Sequence, residues 1–253
     1  MTDRRQRQKE LRAQKRVEER KAATRREFRR RIVIAILVGV SLVGSLLLFN
    51  LEREDEGALP LGYTVFREQP TACEAATPPD WIPRSFAAPE DQGQLPATAT
   101  IETSCGPIVV ALNADAPATV NSFVFLARQG FYDGLVFQRV LPGFSITAGD
   151  PQGNGTGGSG YGLADELPPA GFTYEPGVVA MAEGGGAASS QFFIVTGADA
   201  SVLTRSFSVI GNVTEGEETI ETISALPLTR AVGSTEESRP AETVYIESIT
   251  FSD

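Results

Sequence analysis

The longest apolar stretch of the chain covers residues 32–49 and contains no charged side chain. As a helix with a rise of ~1.5 Å per residue it would span roughly 27 Å, close to the ~30 Å thickness of a bilayer's hydrocarbon core. Three arginines precede it at residues 29–31, and acidic residues follow it from Glu52. The positive-inside rule predicts a transmembrane helix over residues 32–51, with a cytoplasmic N-terminus and an extracytoplasmic remainder. The alternative is a cleaved signal peptide, but no A-x-A-like site follows the run.

From residue 97 onward the pattern changes to short runs in which apolar and polar residues alternate, which is typical of β-strands. The predicted strands cover residues 98–103, 108–112, 137–140, 144–146, 178–182, 191–196, 207–213 and 244–251. One predicted helix begins after Asp115, which could cap it, and ends at Gly130; a second covers residues 217–226. Many short strands with only two helices predict an all-β barrel or sandwich.

Residues 52–96 are rich in Pro, Ala, Glu and Gln and show little periodicity, so we expect an extracytoplasmic spacer. Trp81 lies in this segment, and we expect it to pack on the surface of the folded domain. The two cysteines are Cys73, in the segment, and Cys105, in the domain. Outside the membrane a disulfide between them is expected, and closing this loop would contribute ~3–4 kcal/mol. Unpaired or intermolecular thiols are the alternative.

Charge separates the chain into two unlike parts. Residues 1–31 hold 14 of the 22 basic residues and 5 acids, whereas the rest of the chain holds 8 basic residues and 27 acids. The basic part is interpreted as a cytoplasmic tail attracted to anionic lipid head groups. A nucleic-acid-binding arm is the weaker alternative, and we predict no nucleic-acid partner.

The chain contains no histidine, which excludes imidazole bases and His-ligated metal sites, and two cysteines cannot form a Cys₄ zinc site. The segment Gly155–Gly160 satisfies G-x-G-x-x-G, but no helical pattern follows it, so a dinucleotide site is not expected. We interpret it as a tight loop that brings its backbone close to neighbouring atoms. Asp165 and Glu166 are interpreted as a solvated surface pair. We predict neither a metal nor a cofactor.

Three motifs follow one another in the domain: FQRVLPGFSITAGD over Phe137–Asp150, a glycine-rich loop over Asn154–Gly162, and SQFFIV over Ser190–Val195. This ordered set resembles the cyclophilin family of peptidyl-prolyl cis-trans isomerases. The resemblance covers residues 97–253. It implies a closed eight-stranded antiparallel barrel with a helix over each end, preceded here by the transmembrane helix and the spacer.

The resemblance also implies an active site. Prolyl isomerisation breaks no covalent bond; its obstacle is the ~18–20 kcal/mol barrier that amide resonance imposes on rotation. The position of Arg139 corresponds to the family's catalytic arginine, which opposes this resonance by reaching the prolyl nitrogen and a nearby carbonyl group. The implied substrate-binding residues are Phe144, Phe193 and Leu203 around the proline ring, Gln191 on the substrate backbone, and Thr147, Ala182 and Phe207.

The chain departs from the family pattern at several positions. Thr147 replaces a glutamine, Phe207 lies near the family histidine, and Glu183–Gly186 replaces an asparagine-containing segment. We expect a monomeric, membrane-anchored bacterial isomerase in the plasma membrane that acts on proline-containing polypeptides as secreted or surface proteins fold. The alternative is a proline-peptide-binding or chaperone-like barrel with little turnover.

Overall fold

The structure, a computed structural model, describes residues 61–78, 81–182, 190–230 and 235–253. The predicted tail, the predicted transmembrane helix and the segment Glu183–Gly186 lie outside these residues. Within the described ranges, no helix is both long and apolar enough to cross a membrane. All described residues belong to one compact unit.

Antiparallel strands dominate the fold, which confirms the predicted all-β class. The strands are β1 (Thr98–Thr103), β2 (Gly106–Leu112), β3 (Phe137–Leu141), β4 (Ser145–Ala148), β5 (Val178–Met181), β6 (Phe192–Val195), β7 (Val209–Glu215), β8 (Leu228–Arg230), β9 (Glu237–Pro240) and β10 (Ile246–Ser252). Eight of them form one sheet in the order β10-β1-β2-β7-β5-β6-β4-β3. Strands β8 and β9 form a separate two-stranded pair.

The eight-stranded sheet is a half-barrel, so the prediction of a closed barrel is wrong. Its edge strands, β3 and β10, share no ladder in the described part of the chain. They meet at an isolated bridge between Val136 and Tyr245, immediately before each strand begins. The N–H of Phe137 also donates to the carbonyl of Val244 at 3.0 Å. These contacts hold the edges together at one point without extending into the continuous pairing that would close the sheet.

Both predicted helices are present, as α2 (Pro117–Arg128) and α3 (Glu217–Ser224). The side chain of Asp115 does not cap α2. Instead, the carboxylate of Glu166 accepts hydrogen bonds from the first-turn N–H groups of Ala118 and Thr119, at 3.1 and 2.6 Å. Its negative charge complements the positive end of the helix dipole. Glu166 is therefore a capping residue, which corrects its interpretation as a solvated surface group.

The segment predicted as a spacer is part of the folded unit from residue 61 onward. It forms a further helix, α1 (Leu61–Arg67), and buries Tyr63, Phe66 and Trp81 in the main core. The indole N–H of Trp81 donates to the carbonyl of Phe131 at 3.0 Å, so this side chain lies inside the core and not on its surface. Burial of three large aromatic side chains removes much apolar area from water, which an extended spacer cannot do.

A disulfide joins Cys73 to Cys105, with an S–S distance of 2.01 Å. Cys105 lies in the turn between β1 and β2, so the bond ties the N-terminal segment to the sheet. The two residues are separated by 32 positions in sequence. The segment is thus held by buried aromatic side chains and by a covalent bond.

Strand β6 has apolar side chains on both of its faces. Phe192 and Ile194 point into the main core, whereas Phe193 and Val195 belong to a second apolar cluster. Successive residues of a strand point to opposite faces of its sheet, so one strand can serve two cores. The second cluster forms an apolar surface on the far side of the sheet, and the candidate site lies over it.

Candidate active site

A groove of about 720 Å³ lies over the second apolar cluster. Its lining includes every side chain predicted for the active site: Arg139, Phe144, Thr147, Ala182, Gln191, Phe193, Leu203 and Phe207. These residues come from β3, β4, β6 and the loops that follow β3, β5 and β6. The fold therefore brings together residues that lie as much as 68 positions apart in the sequence.

Strand β3 contributes one cationic side chain to the groove, Arg139, and about half of this side chain is exposed (49%). Thr147 lies directly opposite it on β4. The guanidinium group contacts the carboxylate of Glu236, with Nη2 at 2.9 Å and Nε at 3.3 Å from Oε2. The hydrogen bond from Arg139 lowers the pKa of Glu236. The carboxylate of Glu236 is therefore ionised at neutral pH.

Aromatic side chains form the apolar part of the groove. The rings of Phe193 and Phe207 meet edge to face, with centroids 5.3 Å apart. Tyr174 lies beneath them, fully buried, with its centroid 5.9 Å from that of Phe207. Its hydroxyl donates to the carbonyl of Phe207 at 2.7 Å and accepts from the N–H of the same residue at 3.0 Å. Burial raises the pKa of Tyr174, so the hydroxyl keeps its proton at neutral pH and can make both bonds.

Gln191 lies at the inner end of the groove, almost fully buried (3% exposed). Its Nε2 donates to the carbonyl of Gly157 at 2.7 Å, which connects the residue before β6 to the glycine-rich loop. Asn154 and Gly155 of that loop line the groove, together with Gly153 just before it. Gln191 thus joins the loop wall to the floor of the groove.

The glycine-rich loop is organised around the buried carboxylate of Asp150. Oδ1 accepts from the N–H groups of Gln152 at 2.8 Å and Gly157 at 3.0 Å. Oδ2 accepts from the N–H groups of Asn154, at 2.8 Å, and Gly155. Because four backbone donors point at one side chain, the loop satisfies its own polar groups without forming a strand or helix.

The N-terminal helix α1 supports the outer side of the same loop. A Cβ atom at Gly62 would overlap the carbonyl oxygen of Gln152, and one at Gly153 would lie 3.1 Å from the ring of Phe66. The close contact between helix α1 and the segment around Gly153 therefore requires glycine at both positions 62 and 153. The segment predicted as a spacer is in direct contact with one wall of the candidate site.

Several residues of the site were not predicted from the sequence. Glu236, Ser238 and Arg239 enter the groove from the β8–β9 hairpin. Glu236 is 97 positions from Arg139, and no local pattern indicated the pairing. Asp150 did carry a signal, since an aspartate directly before a glycine-rich segment favours hydrogen bonds from side chain to backbone.

Comparison with known proteins gives one consistent family. Residues 98–251 match the model described as cyclophilin type peptidyl-prolyl cis-trans isomerase/CLD. The probable peptidyl-prolyl cis-trans isomerase A of Mycobacterium leprae is 41% identical over 173 residues, which is 62% of this chain and 92% of that protein. Peptidyl-prolyl cis-trans isomerase B of Streptomyces anulatus is 40% identical over 171 residues, 60% of this chain and 94% of that protein.

A solved structure has the same fold. It is a cyclophilin type peptidyl-prolyl cis-trans isomerase of Cryptosporidium parvum, crystallised in the presence of the dipeptide Ala-Pro. It is 27% identical and superimposes with a TM-score of 0.53, covering 62% of this chain and 99% of that one.

Proposed function

The chain belongs to the cyclophilin family and is a peptidyl-prolyl cis-trans isomerase, and on that premise we propose that it is a membrane-anchored bacterial form. It would isomerise X–Pro bonds in polypeptides outside the plasma membrane, as a monomer, while secreted or surface proteins fold. The positively flanked apolar run at residues 32–49 supports the anchor and its orientation. The bacterial relatives named above support the assignment to bacteria.

The single observation that supports the assigned mechanism is the arrangement of one guanidinium group beside an apolar aromatic pocket in one groove. The pocket around Phe193 and Phe207 suits a proline ring, and Arg139 lies on the adjoining strand pair. In the twisted transition state the amide loses resonance, and its nitrogen gains electron density. A positioned cationic donor stabilises that state more than the planar ground state, which is the condition for catalysis.

Exchange of a short X–Pro peptide by the full-length chain tests this assignment. Arg139→Ala should lower kcat/KM by roughly 10²-fold or more, because it removes one transition-state donor. Arg139→Lys should restore little, since an ammonium group lacks the planar fork of donors. Arg230→Ala is the matched control, because Arg230 is also an exposed, ion-paired arginine but lies outside the groove.

Thermal unfolding of the same variants distinguishes catalysis from structural support. Arg139 is half exposed, so losing its ion pair should cost less than about 1 kcal/mol. Lost activity in a variant with an unchanged melting temperature supports the catalytic role. A large fall in melting temperature would instead assign Arg139 to structure. Activity within about twofold of the parent would refute the mechanism and favour a binding protein with little turnover.

A further inference from the structure

The catalytic arginine proposed above faces a positioning problem. Arginine has several rotatable bonds, and the side chain of Arg139 is half exposed, so packing alone does not fix its guanidinium group. The cross-strand neighbour is Thr147, whose hydroxyl sits on a short, branched side chain. No hydrogen bond between Arg139 and Thr147 is formed within the described residues. Orientation of the cation must therefore come from elsewhere.

Glu236 supplies a contact of the required kind. Its Oε2 accepts from both Nε and Nη2 of Arg139, so one edge of the planar guanidinium group is held at two points. Five N–H donors are present on the group, and these two contacts leave three for a bound peptide. The carboxylate thus fixes the plane without using all of the donors.

Glu236 has a second neighbour on the same hairpin. The hydrogen bond from Arg139 is the main cause of the lowered pKa of Glu236, and the side chain of Ser238 adds to it. Ser238 is 6% exposed and lies on β9, which packs against β3. Three charged residues line the described part of the groove: Arg139, Glu236 and, on the same hairpin as Glu236, Arg239. The carboxylate therefore lies beside the cation of Arg139, and its lowered pKa keeps it ionised at neutral pH.

We propose that Glu236 is a positioning residue of the isomerase, which orients the guanidinium group of Arg139 toward the substrate from the β8–β9 hairpin. This inference rests on the proposed role of Arg139 and adds a second residue to it. Through Glu236, the hairpin consequently contributes one residue to the orientation of Arg139. Glu236 does not contact the rotating amide; it acts through Arg139.

Variants of the full-length chain in the X–Pro exchange assay provide the first test. Glu236→Gln and Glu236→Ala should lower kcat/KM by roughly 10-fold, mainly through kcat, because a misdirected donor weakens the transition state more than substrate binding. Glu237→Gln is the matched control: it removes the same charge at the adjacent position, where the carboxylate pairs with exposed Arg230 at 3.1 Å. It should retain the parent activity. The melting temperature of all three variants should stay within about 3 °C of the parent value.

A compensating substitution distinguishes positioning of Arg139 by Glu236 from a purely structural role of Glu236. Thr147→Gln places a long amide directly opposite Arg139, within reach of its guanidinium group. It should raise kcat/KM by a larger factor in the Glu236→Ala background than in the parent. Such non-additivity measures coupling through the shared arginine. Additive effects of the two substitutions would overturn the proposal.

The outcomes separate this inference from the assignment on which it rests. If Arg139→Ala is inactive while Glu236→Gln keeps full activity, the arginine is catalytic and Glu236 does not position it. If Glu236→Gln is more active than the parent, the carboxylate competes with substrate for the cation, and positioning is refuted. If Arg139→Ala is fully active, the proposed mechanism itself fails.

Discussion

Asp150 gives the sharpest test of how the structure produces the site. The substitution Asp150→Asn keeps the size of the side chain but converts one carboxylate oxygen into an NH₂ group. Each carboxylate oxygen of Asp150 accepts hydrogen bonds from two backbone N–H groups. In either orientation of the asparagine amide, its NH₂ group replaces one of these oxygens and faces two N–H groups from which it cannot accept. The change therefore breaks two hydrogen bonds inside a fully buried site.

The expected magnitude follows from those two bonds. A hydrogen bond to a charged group contributes about 1.5–3 kcal/mol, so the free energy of unfolding should fall by about 3–6 kcal/mol. Domains of this kind are stable by only about 5–15 kcal/mol, so the loss is a large fraction of the total. At about 2–4 °C per kcal/mol, the melting temperature should fall by roughly 6–24 °C.

Activity should change as well, because the loop held by Asp150 forms one wall of the groove. Gly157 would no longer be fixed as the acceptor for Gln191, and Gly155 would leave the groove lining. We expect KM for an X–Pro peptide to rise by roughly 5-fold, equivalent to about one hydrogen bond. KM should be measured well below the lowered melting temperature of the variant, so that unfolded protein does not contribute to the change.

Denaturant unfolding and peptide exchange on the full-length chain provide both measurements. The control is Asp165→Asn, which makes the same substitution at an exposed position of the following segment and should change stability by less than about 0.5 kcal/mol. An Asp150→Asn protein within about 1 kcal/mol of the parent, with KM within twofold, would refute the reasoning. It would mean that the loop is held by its own packing and not by the carboxylate.

Two further predictions concern the N-terminal half of the chain. Replacing Cys73 and Cys105 with serine should lower the free energy of unfolding by about 4 kcal/mol, as expected for a loop closed over a separation of 32 residues; an equal melting temperature with and without reductant would contradict this. Protease added to spheroplasts should cleave exposed sites after residue 60 and spare the tail at residues 1–31, whereas protection of the isomerase domain would reverse the proposed topology.

The sequence alone determined the fold class and most members of the candidate site. Alternation of apolar and polar residues is a local property, and it reports directly which residues of a strand face a core. The predicted strand and helix positions therefore agree closely with β1 to β7, β10, α2 and α3. The three motifs carry the family resemblance, and that resemblance implied the groove residues, including Ala182, Leu203 and Phe207, which lie outside the motifs.

Tertiary structure alone decided where the remaining segments pack. Periodicity failed for residues 61–96, because α1 is short and Trp81 enters the core from an irregular segment. The edges of the sheet meet only at an isolated bridge in the described residues, and no local sequence pattern indicates that the sheet stays open. Glu236 reaches Arg139 only because β9 packs beside β3. Such pairings between distant residues are fixed by the packing of the whole fold, and a local pattern can show that a side chain is charged or buried but not what it meets.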